Sequence, residues 1–470
     1  MGHMSVEMAP RLLAAIALSG LGCLTMQARA QLAVQNQGYL PYSDAPINYR
    51  SAVLSDPVAK LQQLLDQGQA SLQFDPADHG YLRSVLKLLD IPISSQTLVF
   101  SKTSFQYPKI SPDHPRALYF NDDIYIGSVH EGNAIEVVSF DPMQGAIFYL
   151  LDAHKVDRPT FQRAELDCTQ CHIAAGTRGI PGVLLRSVYP TADGTLAPGS
   201  RSYVTDQQSP FNERWGGWYV TGFPGYAPNM GNAVVSDAPS TAGATDQLFT
   251  APKLSPLAIT PFDISAFLAS GSDPVALLVL AHQTQMHNLI TLTNYKTRLT
   301  VYAYSHEAAS SDAAAPAALS LPDQARDRFE HPAEQLLRYL LFADEAPLPG
   351  SAADQSLQAS AFAREFAARG ARDPKGRSLR DFDLNTRIFR YPCSYLIYSD
   401  SFDAIPEPAK GYIYHRLLEI LSERDQSQDF VRLSAEDRRA ILEILLTTKS
   451  GLPEEWRQYA VSHQLQIAKQ

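Results

Sequence analysis

Cysteine is scarce in this 470-residue chain: Cys23, Cys168, Cys171 and Cys393 are the whole supply. If Cys23 leaves with a signal peptide only three remain, too few for the disulfide framework of a small secreted scaffold. There is no second C-x-x-C to complete a four-thiolate zinc site and no H-x3-H to complete a mixed one. G-x-S-x-G, a P-loop and H-E-x-x-H are also missing. With them go the sequence signals of the α/β-hydrolases, of phosphate-cradling loops and of zinc-dependent proteolysis. Basic residues are in deficit, 39 Lys and Arg against 49 Asp and Glu, for a formal net charge of −10. Such a balance argues against non-specific nucleic-acid binding and against an anionic membrane surface as partner. No segment reaches the roughly 18 consecutive apolar residues that a transmembrane helix needs.

Residues 1–30 read as a secretory signal peptide. Arg11 precedes an apolar run from Leu12 to Met26, and Ala28-Arg29-Ala30 forms an A-x-A ending before Gln31. Cleavage there would remove Cys23; a lipidated Cys23 is the alternative, but Gly20-Leu21-Gly22 before it fits a lipoprotein signal poorly. The leader contains Arg11, Arg29 and Glu7, a net +1, so the mature chain would stand near −11. The expectation is an exported, periplasmic protein whose acidity steers in a redox partner with a basic docking surface.

Two compositional regimes follow. From Thr97, the runs TLVFSKTSF, RALYFNDDIYIGSV, AIEVVSF and AIFYLLD are β-rich and separated by Asn-Asp-Asp, Glu-Gly-Asn and Asp-Pro turns, which predicts an antiparallel meander. Helical spacing marks 56–68 and 79–90 before it. After the meander, VLLRSVYPTADG, SRSYVTD and RWGGWYVTGFPG are again β-rich, and 224–256 reads as a long Pro/Gly/Ala/Ser loop. Beyond it the pattern is helical, beginning with a long amphipathic helix from about Asp273 to Tyr302 and ending with one that opens on a Ser434/Asp437 capping box. The predicted fold class is α+β: a β-rich lobe over 31–260 and a mostly helical lobe over 261–470. A small all-α cytochrome fold is not expected.

The chemistry concentrates in LDCTQCHIAAGTRGIPG, residues 166–182. Two cysteines two residues apart, followed directly by histidine, is the attachment pattern of c-type haem. The thiols of Cys168 and Cys171 must reach the two vinyl groups on one porphyrin edge, and His172 then supplies the proximal iron ligand. A thioredoxin-like redox pair would instead sit in a βαβ setting, which the β-rich surroundings do not offer. A proximal histidine needs an acceptor for its other ring nitrogen, and a carbonyl near Pro181 in Gly179-Ile180-Pro181-Gly182 is the natural supplier. The expected cofactor is one covalent haem c. Cys393, in the aromatic run IFRYPCSYLIYS, reads as a buried thiol.

The sixth iron position divides the functions. Methionine or histidine there makes a closed electron carrier, whereas an open position binds peroxide, oxygen or nitric oxide. Met230, in the loop YAPNMGN, is one candidate, and His282 or His287 in LAHQTQMHNLI is another. The two histidines are rotated about 140° apart on a helix and so do not face one metal together. Arg178, Arg186 and Arg214 are candidates for pairing with propionates. Trp215, Trp218 and Tyr219 either line the cofactor or pack the core. The functional expectation is electron transfer by a monohaem c-type cytochrome; a peroxidase- or oxygenase-type haem enzyme, or a haem-based sensor, is the alternative.

The runs SSQTLVFSKTSFQ, ISPDHPRALYFNDDIYIG, DCTQCH, PFNERWGGWYVTG, HQTQMHNLIT and SLRDFDLNTRIFRYPCSYLIYS resemble a group of exported bacterial proteins that carry a single C-x-x-C-H and are labelled only cytochrome c-like or hypothetical. The likeness covers most of the mature chain and implies bound haem, without implying a substrate. Where members of that group carry His-Met-Gly-Asn, this sequence has Asn229-Met230-Gly231-Asn232, which leaves Met230 and removes the histidine. Di-haem peroxidases and rubber oxygenases need a second C-x-x-C-H, which is absent here.

Overall fold

A computed structural model describes residues 40–222, 228–236, 253–257, 262–310, 321–348 and 360–467. Residues 1–39, with the expected signal peptide and Cys23, lie outside the described residues. The first helix, α1 (Pro57–Asp66), begins where the Asp56 carboxylate accepts from the N–H groups of Val58 and Ala59 at 3.0 and 3.2 Å. Pro57 adds its preset φ at the first helical position. After α2 (Leu82–Leu88) come β1 (Thr97–Val99), β2 (Arg116–Phe120), β3 (Ile124–Val129), β4 (Ala134–Asp141), β5 (Gly145–Asp152) and β6 (Gln162–Arg163). The next helix, α3 (Glu165–His172), carries the C-x-x-C-H motif. Then follow β7 (Leu185–Val188), β8 (Ser202–Thr205), β9 (Trp218–Tyr219), β10 (Ala233–Val235) and β11 (Leu254–Pro256).

Seven of these strands form one antiparallel sheet in the order β6-β5-β4-β3-β2-β1-β9. Its central part is the meander that the turn residues predict. At Asn121-Asp122-Asp123 the Asn121 side-chain oxygen accepts from the N–H groups of Asp123 and Ile124, at 3.1 and 2.9 Å. That is a hairpin turn, with no need of a cation. Most of the predicted 224–256 loop lies outside the described residues; within it β10 and β11 pair, Ala233 opposite Pro256.

The helical half comprises α4 (Pro274–Ser310), α5 (Asp323–Leu340), α6 (Ala361–Ala368), α7 (Asp400–Asp403), α8 (Glu407–Leu421), α9 (Ala435–Thr448) and α10 (Glu454–Ser462). Ser434 caps α9, its hydroxyl accepting from the Asp437 N–H at 3.0 Å. The fold is α+β, with the antiparallel sheet in the first half and helices in the second.

Helix α4 corrects the amphipathic expectation, because residues 274–295 are buried on every side. It packs against β1, β5 and β7 and against α5, α6, α7 and α8. A helix with no solvent face must satisfy its polar side chains internally, since each unpaired one costs about 1–3 kcal/mol. Gln283 donates to the Asn121 carbonyl (2.7 Å) and to the Tyr125 hydroxyl (2.9 Å), and Asn294 donates to the Ala404 carbonyl (3.1 Å). One hydrophobic core runs from Phe120, Phe140 and Phe148 of the sheet to Ile441 and Trp456 of the last helices. Tyr42–Gln470 therefore pack as one compact unit. The change near residue 260 is one of secondary structure, and the main core draws on residues from both sides of it.

Candidate functional site

Cys168, Cys171 and His172 stand at i, i+3 and i+4 of α3, so the helix presents all three on one face. Cys171 is exposed, Cys168 half-buried. His172 is fixed by the loop that follows. Its Nδ1 lies 2.9 Å from the Gly182 carbonyl oxygen, while its own carbonyl accepts from the Gly182 N–H (3.1 Å) and the Thr177 hydroxyl (3.1 Å). A carbonyl can only accept, so Nδ1 carries a hydrogen, and in the neutral ring Nε2 keeps its lone pair. Nε2 has no hydrogen-bond partner among the described residues. The acceptor is thus the residue after Pro181, whose own carbonyl takes the Ala146 N–H of β5 at 3.3 Å. Burial lowers the His172 pKa from its ordinary value, and the hydrogen bond to Gly182 works in the opposite direction. Burial thus favours the neutral ring, the form in which an imidazole binds a metal.

The motif borders a cavity of about 410 Å³ between α3, α4 and one face of the sheet. That is within the range of small-molecule and cofactor sites. The strand register builds its floor. Leu118, Gly127, Glu136 and Leu150 face one another in one row across β2 to β5, and Tyr125, Val138 and Phe148 in the next. Leu118, Val138 and Leu150 are only partly buried, which is unusual for apolar residues on interior strands. Phe148 lies against the His172 ring, centroids 4.9 Å apart. Leu280 and Thr284 of α4 line the cavity as well, with Trp218, whose indole N–H donates to the Arg186 carbonyl at 2.7 Å.

The floor also carries a charge pair. Arg116 bonds to Glu136, and both are largely buried. The Glu136 carboxylate also accepts from the Ser104 hydroxyl (2.6 Å) and the Gln106 amide (2.8 Å). Gly127 makes this possible, for a Cβ there would stand 2.7 Å from Arg116 Nε and 2.8 Å from its Cζ. Arg116 Nε is buried and has no hydrogen-bond partner among the described residues. Lys102, Arg116 and Arg186 are the basic residues lining the cavity; Lys102 is ion-paired with Asp193 (3.0 Å) and Arg116 with Glu136, which leaves Arg186 as the lining cation without a carboxylate partner among the described residues.

The three candidate sixth ligands are elsewhere. Met230 is buried in a separate cluster with Tyr189, Ala197 and Val235, its sulfur 3.7 Å from the Ser187 hydroxyl. His282 uses both ring nitrogens, Nδ1 with the Gln207 side-chain oxygen (2.5 Å) and Nε2 with the Ser394 hydroxyl (2.7 Å), and stacks on Phe342. His287 donates from Nε2 to the Asp122 carbonyl (2.7 Å) and stacks on Phe140. Burial lowers their pKa values to about 3 and about 4. None of the three lines the cavity at His172, and no other Met or His does so among the described residues. Of the candidate propionate partners, Arg186 lines the cavity and Arg178 and Arg214 do not; Arg214 is buried, donating to the carbonyls of Ser209 and Gln207. Trp215 packs in the core, and the Tyr219 hydroxyl donates to the Pro112 carbonyl. Cys393 is fully buried, and burial pushes its thiol pKa up.

Gly127, Arg116, Glu136 and Asn288 were not singled out from the sequence. Asn288 secures the His172 loop: its side chain donates to the Val183 carbonyl (2.7 Å) and accepts from the Val183 N–H (3.1 Å). Only Gly127 leaves a signal, as a glycine within a strand pattern, which often marks a close approach. Among the described residues no group of three or more His, Cys, Asp or Glu is arranged to hold a metal ion. No helix among them is long and apolar enough to cross a membrane. No protein-family model, no curated protein and no solved structure matches the chain.

Proposed function

We propose that this chain is an exported c-type haem protein, with one haem bound through Cys168 and Cys171 and with His172 as proximal ligand. We further propose that the sixth iron position is left to a small exogenous ligand. Several features favour haem. The two thiols and an imidazole with a free Nε2 lone pair share one helical face. The apolar floor is incompletely covered, and the Arg116 Nε, which has no partner among the described residues, together with Arg186 suits carboxylates. The absence of a converging ligand cluster among the described residues speaks against a zinc site built from the same motif. Bound iron would supply redox and ligand-binding chemistry. The protein's own contribution is to favour the neutral imidazole, wall the cavity with apolar groups and offer Arg186 to anionic groups.

The observation that carries the open-site reading is that Met230, His282 and His287 all lie away from the cavity. A haem enzyme of peroxidase or oxygenase type, or a gas or redox sensor, accounts for this better than a closed carrier. Electron transfer is the second reading. It is favoured by the exposure of Cys171, which would bring a thioether edge to the surface within reach of a partner. The test is a visible spectrum of the purified protein, oxidised and reduced, titrated with carbon monoxide and with peroxide. Rapid carbon monoxide binding by the reduced protein supports the open site. A low-spin spectrum unmoved by either ligand sinks it and returns the carrier.

A further inference from the structure

The loop from Gly179 to Val183 is held more firmly than a turn requires. Gly182 bonds to His172 twice, through its N–H and through its carbonyl. The next residue, Val183, is gripped at both its N–H and its C=O by one carboxamide, that of Asn288. The two bonds also fix the amide orientation, because an N–H must meet Oδ1 and a carbonyl must meet Nδ2. Asn288 is fully buried in the stretch of α4 that has no solvent face. Contact on the other side is equally close. A Cβ at Gly182 would collide with the Asn288 side-chain oxygen and stand 3.1 Å from its Cγ. The loop can neither swing away from His172 nor move toward α4.

We infer that Asn288 is the positioning residue for the proximal ligand, acting through the Gly182–Val183 peptide on the hydrogen bond to His172 Nδ1; this rests on the haem reading above. The alignment of that acceptor sets how much electron density the imidazole offers a metal. A helix of eight residues such as α3 offers little rigidity of its own. The reference frame is supplied by α4, whose residues 274–295 are buried on every side. This gives the helical half a role at the site although few of its residues line the cavity.

The test compares Asn288→Ala and Gly182→Ala with Gln285→Ala. Gln285 is a control on the same helix whose amide reaches the Gly176 carbonyl at 3.3 Å, in the same loop but not on the 182–183 peptide. Two readouts are used: the reduction potential of the haem-loaded protein, and amide hydrogen exchange at Gly182 and Val183 in the same samples. Asn288→Ala should speed exchange at Val183 by about tenfold. It should also move the potential in the positive direction, as a weaker bond to Nδ1 reduces donation to the oxidised iron. Gly182→Ala, which pushes on the same contact from the other side, should move the potential too and serves if Asn288→Ala does not fold. Gln285→Ala should leave the potential unchanged. Covalent haem with a potential in both the Asn288 and the Gly182 variants equal to that of the control overturns the positioning role and leaves the haem reading intact. Absence of covalent haem from the wild type overturns both.

Discussion

Gly127→Ala sets two physical effects against each other, and their magnitudes differ enough to separate them. Gly127 lies within β3 and is not among the glycines with positive φ, so its backbone does not require glycine. On conformational grounds alone, alanine should stabilise the strand by about 0.5–1 kcal/mol. The packing predicts the reverse. The new Cβ would sit 2.7 Å from Arg116 Nε and 2.8 Å from Cζ, about an ångström inside ordinary contact, and the guanidinium would have to leave its place over the strand. Overpacking of this kind costs about 1–3 kcal/mol. Loosening the largely buried bond to Glu136 adds to it, discounted because both groups keep some solvent contact. The net is a loss of about 1–3 kcal/mol. For a unit of about 430 residues at about 2.1 cal/mol/K each, that is a fall in Tm of roughly 1–3 °C. Scanning calorimetry with replicate runs resolves such a shift. In a background where Arg116 and Glu136 are both leucine, the same change should be neutral or stabilising. If Gly127→Ala raises Tm in the wild-type background, the account of the cavity floor is wrong.

Three further outcomes follow from the same geometry. Met230→Ala should leave the visible spectrum unchanged while costing about 2–5 kcal/mol of stability, because Met230 is a core side chain that does not line the cavity; a spectral change would favour it as an iron ligand. Cys168→Ser combined with Cys171→Ser should abolish haem staining on a denaturing gel, whereas either single change should leave one thioether and a weaker band; staining of the double variant counts against the attachment site. Burial raises the Glu345 pKa from 4.5 to about 7. The folded state therefore binds the proton more tightly than the unfolded one. The stability associated with this group is fully present below about pH 4.5 and is lost as the pH rises through about 7. Glu345→Gln keeps an oxygen to accept from the Ile388 N–H (2.8 Å). It should be more stable than wild type at pH 8, by up to about 3 kcal/mol, with the difference vanishing near pH 4; chemical denaturation at the two values measures it.

The sheet was legible in the sequence because strand and turn chemistry are local. RALYF, Asn121-Asp122-Asp123 and IYIGSV give a hairpin from adjacent residues, and the structure forms it there. The His172 acceptor was nearly legible too, since Gly179-Ile180-Pro181-Gly182 follows the motif closely; only the peptide was one residue on from Pro181. Helix α4 misled because its polar residues resemble a solvent face. His282, Gln283, His287 and Asn288 meet partners from β2–β3, the 183 loop and the chain near 394, separations that periodicity does not register. The Arg116–Gly127–Glu136 arrangement depends on cross-strand register, in which Gly127 stands opposite Glu136. No single strand, read alone, contains it.

The central claim is covalent haem on α3, and the most direct measurement is the mass of the peptide spanning residues 166–182 after expression in a cell that matures c-type cytochromes. The account predicts that this peptide carries the mass of one haem, with neither Cys168 nor Cys171 open to alkylation. A peptide of unmodified mass with both thiols alkylated would contradict it.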